Sequence, residues 1–273
     1  MGRSTTFDAM PFYTDTHAHI YLEEFEAGLA AMLKRAYDEH VLKILLPSID
    51  SSATAALKRT ADAGYNIHPM MGLHPCYVKD NYRDELAHVK AELDSNYRSA
   101  HGRPYCAVGE IGIDLHWDRS TFAKQVEAFE QQMLWAYERS LPVAVHCRNA
   151  YDKVIASISN MGAQRPKGVL HCFTGTMDQA HTLIGLGFLL GIGGVVTYKN
   201  SGLAEVVKEI DLKHLILETD SPYLPPVPHR GKRNEPAYTA IVAQKIAEIK
   251  GLTHPLEQVG QPTSQNAAQL FRL

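Results

Sequence analysis

The sequence predicts an α/β fold, a TIM-like (β/α)8 barrel forming a single domain. Three observations predict it. Eight short, β-rich apolar runs alternate with longer amphipathic segments, the pattern of a parallel sheet with crossover helices. Polar residues capable of chemistry stand at the C-terminal ends of five of these runs, as in a barrel, whereas an open sheet concentrates its ligands at one switch point. The 273 residues contain no internal repeat, low-complexity segment or linker, and one barrel commonly has that length. Residues 1–10 are expected to form a disordered leader and residues 11–273 the barrel.

The expected strands lie at 12–20, 43–47, 66–72, 106–113, 143–147, 168–173, 188–193 and 215–219. Each is bounded by Gly, Pro or Asp, as buried parallel strands are. The first helical segment, 23–40, carries Leu29, Met32, Leu33 and Tyr37 on one face. The next, 51–63, opens on a Ser-rich cap and stops at Gly64. Helices follow at 83–98, 122–139, 151–159, 177–186, 203–210 and 237–250, with a short closing helix at 264–271. The Pro-rich stretch 222–228 reads as a shaped loop after the last strand.

Composition narrows the function. Hydrophobic residues at 45% and charged residues at 21% exclude a disordered or fibrous chain. A net charge of -3 excludes a protein whose whole surface grips polyanions. It leaves room for a nucleic-acid substrate met through divalent metals and a few local cations. Cys76, Cys106, Cys147 and Cys172 form no Cys-x-x-Cys pair, which removes a zinc ribbon and a thioredoxin motif and suits a reduced, cytoplasmic protein. No signal peptide and no apolar run long enough to span a bilayer is found, so no membrane partner is expected. A monomer suffices for everything read here.

The strand ends carry the chemistry. Strand one ends Asp15-Thr16-His17-Ala18-His19. Alternate residues share a face, so Asp15, His17 and His19 should point into the mouth, and two imidazoles on one strand make a chelate. The plainer reading is a polar strand end with solvated histidines. In strand four Glu110 follows Ala107 and Val108, and a buried carboxylate costs several kcal/mol unless it is paired or bound to a cation. A salt bridge would satisfy it equally. Asp114, past that strand's end, is expected to order the following loop.

Strands five and six each finish an apolar run with one histidine, His146 and His171; a lone core histidine is the plainer reading of either, but equivalent places on successive strands favour a site. The adjacent Cys147 and Cys172 should face the helices and only pack. Strand eight places Glu218 and Asp220 on one face. Asp220, at the mouth, can bind metal and accept a proton from water as the catalytic base; Glu218, a layer deeper, can orient a ligand.

Four histidines and two carboxylates are too many for one closed four-coordinate site. Glu110 can bridge two ions, and the mixed donors suit zinc, manganese, iron or nickel better than a lone magnesium. Arg148, Arg230, Lys232 and Arg233 are candidates for phosphate contacts, as is His74 at the end of strand three. Solvated loops and local hydrogen bonds are the plainer readings of these. Tyr223 and Trp117 could stack on bases, but ordinary aromatic packing is expected of them.

These motifs resemble the TatD family of metal-dependent deoxyribonucleases, in the amidohydrolase superfamily. The matching strings are Asp15-Thr16-His17-Ala18-His19, Gly72-Leu73-His74-Pro75, Gly109-Glu110-Ile111-Gly112-Ile113-Asp114, the His146 and His171 strand ends, Glu218 to Leu224, and Pro228 to Pro236. They run in order from about residue 11 to the end. The strand-eight string and 228–236 are highly specific, whereas His-x-His is shared across the superfamily.

The resemblance implies hydrolysis of DNA phosphodiesters, often as a 3′–5′ exonuclease, with single-stranded or frayed DNA as partner and a place in DNA repair. It implies His17, His19, Glu110, His146, His171 and Asp220 as ligands of two divalent ions, magnesium, manganese or zinc. Cys147, where many members have Ser, and the loop Leu115-His116-Trp117 depart from the pattern at the mouth, so they bear on substrate preference more than on chemistry. Two other functions fit the same residues: hydrolysis of an ester, lactone or aminoacyl-tRNA bond, and a non-catalytic metal-binding module.

Overall fold

The computed structural model describes residues 10–64 and 66–273; the expected leader lies outside the described residues except for Met10. Eight parallel strands are present: Tyr13–Asp15 (β1), Val41–Leu46 (β2), Ile67–Pro69 (β3), Val108–Asp114 (β4), Val143–Arg148 (β5), Gly168–Leu170 (β6), Phe188–Ile192 (β7) and Leu215–Leu217 (β8). The first three form one sheet and the other five a second, each in sequence order. Both seams are closed by parallel pairing, Met71 with Val108 and Ala18 with Ser221. At the first seam Met71 N donates to Ala107 O and Gly109 N to Met71 O; at the second, Thr16 N donates to Leu217 O and Asp220 N to His17 O. The chain is therefore a closed (β/α)8 barrel.

Side-chain alternation sorts the core into two layers. Leu45, Met70, Ala144, Val169 and Ile216 fill the barrel, with Ala267 and Phe271 packed against them from below. Their neighbours Ile44, Val143, Val145, Leu170, Leu215 and Leu217 face the helices. Those helices are Glu23–Glu26 (α1), Leu29–Asp38 (α2), Thr54–Asp62 (α3), Tyr82–Asp94 (α4), Phe122–Glu138 (α5), Tyr151–Asn160 (α6), Met177–Gly185 (α7), Leu203–Glu209 (α8), Thr239–Lys250 (α9) and Gln261–Phe271 (α10). Among the described residues no helix is long and apolar enough to cross a membrane.

Two expectations are corrected. The single helix over 23–40 is two, because the chain leaves helical geometry at Gly28 (φ -136°, ψ 12°) before α2 begins. β1, β6 and β8 are short. As regular strands they stop at Asp15, Leu170 and Leu217; beyond those points individual backbone bonds continue, among them Ala18 N to Leu45 O, His171 N to Val145 O and Glu218 N to Ile192 O, while the chain bends around the site.

Candidate metal centre

Glu110 is the hub of the mouth. It is buried on β4, and two clusters of imidazole nitrogens converge on its two oxygens. On Oε2, His17 Nε2 lies at 3.0 Å and His19 Nε2 at 3.4 Å. On Oε1, His146 Nδ1 and His171 Nε2 lie at 3.0 Å and His74 Nε2 at 3.2 Å. Asp220 Oδ1 joins the first cluster, 3.8 Å from His17 Nε2 and 3.7 Å from His19 Nε2. The structure thus brings together all six expected ligands, and adds His74.

Local backbone aims these groups. His17 and His19 lie beyond β1 but stay extended, because His19 N donates to Ser221 O and Ala18 N to Leu45 O. Asp15 does not join them. It sits one layer down, accepting from Thr219 N at 3.0 Å, Thr219 Oγ1 at 2.6 Å and His17 N at 3.2 Å, and so ties the start of the chain to the end of β8. Asp220 adopts φ 60°, a left-handed conformation that Asp tolerates better than most residues. Cys172, at φ 46°, is turned likewise. That turn breaks the strand alternation, so Cys172 is set among Asp220, Glu218 and Glu110, whose charges join burial in raising its thiol pKa, rather than only packing under the helices. Cys147, still on β5, is buried as expected.

The atoms behind the imidazoles assign their protons. Tyr21 Oη donates to Pro47 O at 2.8 Å, so it accepts from His19 Nδ1 at 2.9 Å and leaves the Nε2 lone pair facing the centre. Asp114 Oδ2 accepts from His146 Nε2 at 2.9 Å, which turns the other ring nitrogen, Nδ1, towards Glu110. Glu218 Oε1, fully buried, lies 3.6 Å from His171 Nδ1, beyond hydrogen-bond length but near enough to favour a proton there. His74 is the reverse case. Its Nδ1 accepts from Cys76 N at 3.1 Å, so Nε2 carries the proton and donates to Glu110.

This donor set fits divalent cations. The His19 lone pair faces a carboxylate that also offers lone pairs. Burial opposes a charge on His146, yet Asp114 and Glu110 raise its pKa, so this pocket favours a positive charge between Glu110 and the imidazoles, which a divalent cation would supply. Two donors each about 2.1 Å from one cation and about 90–110° apart are about 3.0–3.4 Å from each other, the spacing seen around both Glu110 oxygens. Three such groups lie within mutual reach: His17, His19 and Asp220; His17, Glu110 and His171; and His74, Glu110 and His146. The His74 tautomer removes that imidazole from the ligands, since its lone pair is already used.

Electrostatics agree with a cation-seeking site. Burial pushes the Glu110 carboxyl up, but the imidazoles of His74, His171 and His17 outweigh it and hold the group well below the carboxylate range. Burial and the adjacent His171 keep His17 well below its ordinary value, hence neutral and able to donate a lone pair. Burial raises the Asp220 carboxyl to about 6, against the pull of His171 and His19.

The cationic candidates stay on the rim. Arg148 is exposed, with its guanidinium 5.5 Å from the Trp117 ring centroid, and Arg230 lies 4.2 Å above the Tyr198 ring. Arg233 is committed elsewhere, stacked 4.4 Å over Phe25 and donating to Glu24 O. Trp117 and Tyr223 do not pack away as expected; they are 71% and 52% exposed. Sequence reasoning missed Tyr21 behind His19 and the contact of Asp114 with His146. The first carries a weak signal, the same alternation that pairs His17 with His19; the second joins positions 32 apart and carries none.

A family model described as "TatD related DNase" matches residues 14–272. The chain is 39% identical over 261 residues to the uncharacterized metal-dependent hydrolase YabD of Bacillus subtilis, covering 95% of this chain and 98% of that protein. It is 31% identical to the uncharacterized metal-dependent hydrolase YcfH of Escherichia coli K12, covering 96% of each. The crystal structure of YjjV, a TatD homologue of Escherichia coli K12, superposes with a TM-score of 0.87 at 30% identity, covering 96% of this chain and 98% of that one.

Proposed function

The chain belongs to the family of TatD-related DNases and is a metal-dependent hydrolase, and on that premise we propose that it cleaves phosphodiester bonds of DNA, as a 3′–5′ exonuclease acting on single-stranded or frayed ends. The observation that carries this reading is one buried carboxylate, Glu110, shared between two sets of imidazoles at a mouth where Arg148 and Arg230 stand exposed. A single closed metal site needs no such shared group, and a binding module needs no base.

His17, His19 and Asp220 on one side, and His146 and His171 on the other, would hold two divalent ions (magnesium, manganese or zinc) with Glu110 between them. Such ions supply Lewis acidity and ease the deprotonation of water from a pKa of 15.7 towards roughly 7. Asp220 accepts the proton that water loses as it attacks phosphorus. His74, holding its proton on Nε2 at the same rim, donates to a non-bridging phosphate oxygen. Glu218 and Asp114 keep the rings of His171 and His146 in their facing orientation. Arg148 and Arg230 meet neighbouring phosphates of the strand, and the P–O3′ bond breaks with its electrons on the 3′-oxygen, which takes a proton from solvent water at the open mouth.

The test strips the protein with a chelator and restores magnesium, manganese or zinc singly. End-labelled single-stranded DNA is then offered beside carboxylic ester and lactone substrates. Shortening of the DNA from its 3′ end, restored by metal, is the expected result. Turnover of esters with the DNA left intact overturns the nuclease reading, and no turnover of either with full metal content points to a binding module.

A further inference from the structure

Trp117 is large, apolar and 71% exposed. Single exposed aromatics are common on protein surfaces and need no explanation; what sets this one apart is how it is held. Asp114 ends β4 and accepts through Oδ1 from His116 N at 2.8 Å and Trp117 N at 3.2 Å. Its other oxygen contacts His146 Nε2 at 2.9 Å, and His146 Nδ1 reaches Glu110 at 3.0 Å. One carboxylate therefore fixes both a ring of the metal centre and the backbone carrying the indole. The loop is closed further by Leu115 N donating to Arg148 O at 2.9 Å and Arg119 Nε to Leu115 O at 3.0 Å.

The Arg148 guanidinium stands 5.5 Å from the indole's centroid, and the His116 ring meets it edge-on at 4.9 Å. The cation beside the ring is the one already placed to meet phosphate. A flat aromatic held in place at an active-site mouth, beside a phosphate-binding cation, matches the recurring way proteins bind unpaired nucleotides: phosphate on the cation, base on the ring.

We propose that Trp117, backed by Arg148, is the base-stacking residue of this site, and that a nucleobase next to the cleaved phosphodiester lies on its open face. The proposal rests on the nuclease reading above and deepens it, since it makes an unpaired base part of what the site recognises. A base stacked in a duplex cannot reach the ring, so the contact selects for single strands and frayed ends.

The protein's own fluorescence tests it. Its two tryptophans are Trp117 and Trp135, and Trp135 is buried, so an added ligand that stacks reports through Trp117. The metal-loaded protein is titrated with a phosphorothioate oligothymidylate, which resists hydrolysis, and with an abasic oligomer of equal length and backbone. Quenching by the base-bearing oligomer only, and its loss in Trp117→Phe, is expected. Trp117→Ala is expected to weaken the base-bearing oligomer about 5- to 150-fold, the range for loss of one stacked base, and to erase its advantage over the abasic one. A merely unfolded variant would lose both oligomers, and circular dichroism identifies it. If Trp117→Ala is unfolded, the quenching arm in the wild type and Trp117→Phe decides alone. Equal quenching by both oligomers, or a folded Trp117→Ala protein that keeps the wild-type preference, overturns the stacking assignment while leaving DNA hydrolysis standing. Failure of both oligomers to bind overturns it together with the nuclease reading.

Discussion

Asp220 and His74 face the same small space with opposite equipment. Asp220 brings a carboxylate oxygen 3.7–3.8 Å from the imidazoles of His19 and His17, while His74 brings a proton on Nε2. Changing Asp220 to Asn keeps the shape and one oxygen and removes the proton acceptor. Asp220→Asn should therefore retain most of its metal, measured by elemental analysis, and lose at least roughly 100-fold in turnover. Near-normal turnover would take Asp220 out of the base's role. Of the candidate ligands, His146, His171 and Asp220 were legible in the sequence because each closes a strand that begins as an apolar run, where polar residues are costly without a purpose, and His17 and His19 because alternate residues of a strand share a face. The tautomers were not legible. They depend on Tyr21 against His19 and Asp114 against His146, and on Cys76 N against His74, which are matters of which atom lies behind a ring.

At the scale of elements, the alternation of apolar runs gave all eight strands, but not where each ladder ends. Val169-Leu170-His171-Cys172-Phe173 reads as one strand, yet the regular strand ends at Leu170 and Cys172 turns left-handed, although His171 N still donates to Val145 O and Phe173 N to Gly191 O. Burial and individual backbone bonds at the mouth persist after regular strand geometry has ended, so hydrophobicity overstates strand length there. Packing between two strands was equally hidden. Gly112 on β4 pairs with His146 on β5, and it has φ 148°. A Cβ at Gly112 would overlap the His146 carbonyl. Gly112→Ala should thus cost about 2–4 kcal/mol through overlap and strain, and should lower metal retention by displacing His146. Gly28→Ala is the control, since nothing lies within 4 Å of the added carbon. Equal urea midpoints for the two variants would show that β4 and β5 do not constrain His146 in this way.

On the scale of the whole molecule, the barrel's interior is apolar along most of its length, but His68 is buried inside it. His68 pairs in register with Leu45 and shares its inward face, and its Nε2 has no hydrogen-bond partner among the described residues. Nothing in the sequence marked it, because a histidine inside a strand looks alike whether solvated or sealed. Burial, then the positive charges of Arg103 and Lys43, push its pKa from 6.5 to about 3. The sign of the consequence is fixed by which state takes the proton. Below pH 6.5 the unfolded chain protonates this histidine while the folded barrel does not, so the contribution is complete above that pH and is lost as pH falls towards 3. One proton of difference makes a slope of about 1.4 kcal/mol per pH unit. In metal-free protein, where the histidines of the mouth contribute equally to both, urea unfolding of wild type and His68→Gln should diverge across this window. The variant should lose less stability on acidification, whatever its stability at neutral pH. Parallel curves would mean that water reaches His68 from the barrel floor and that the interior is not sealed there.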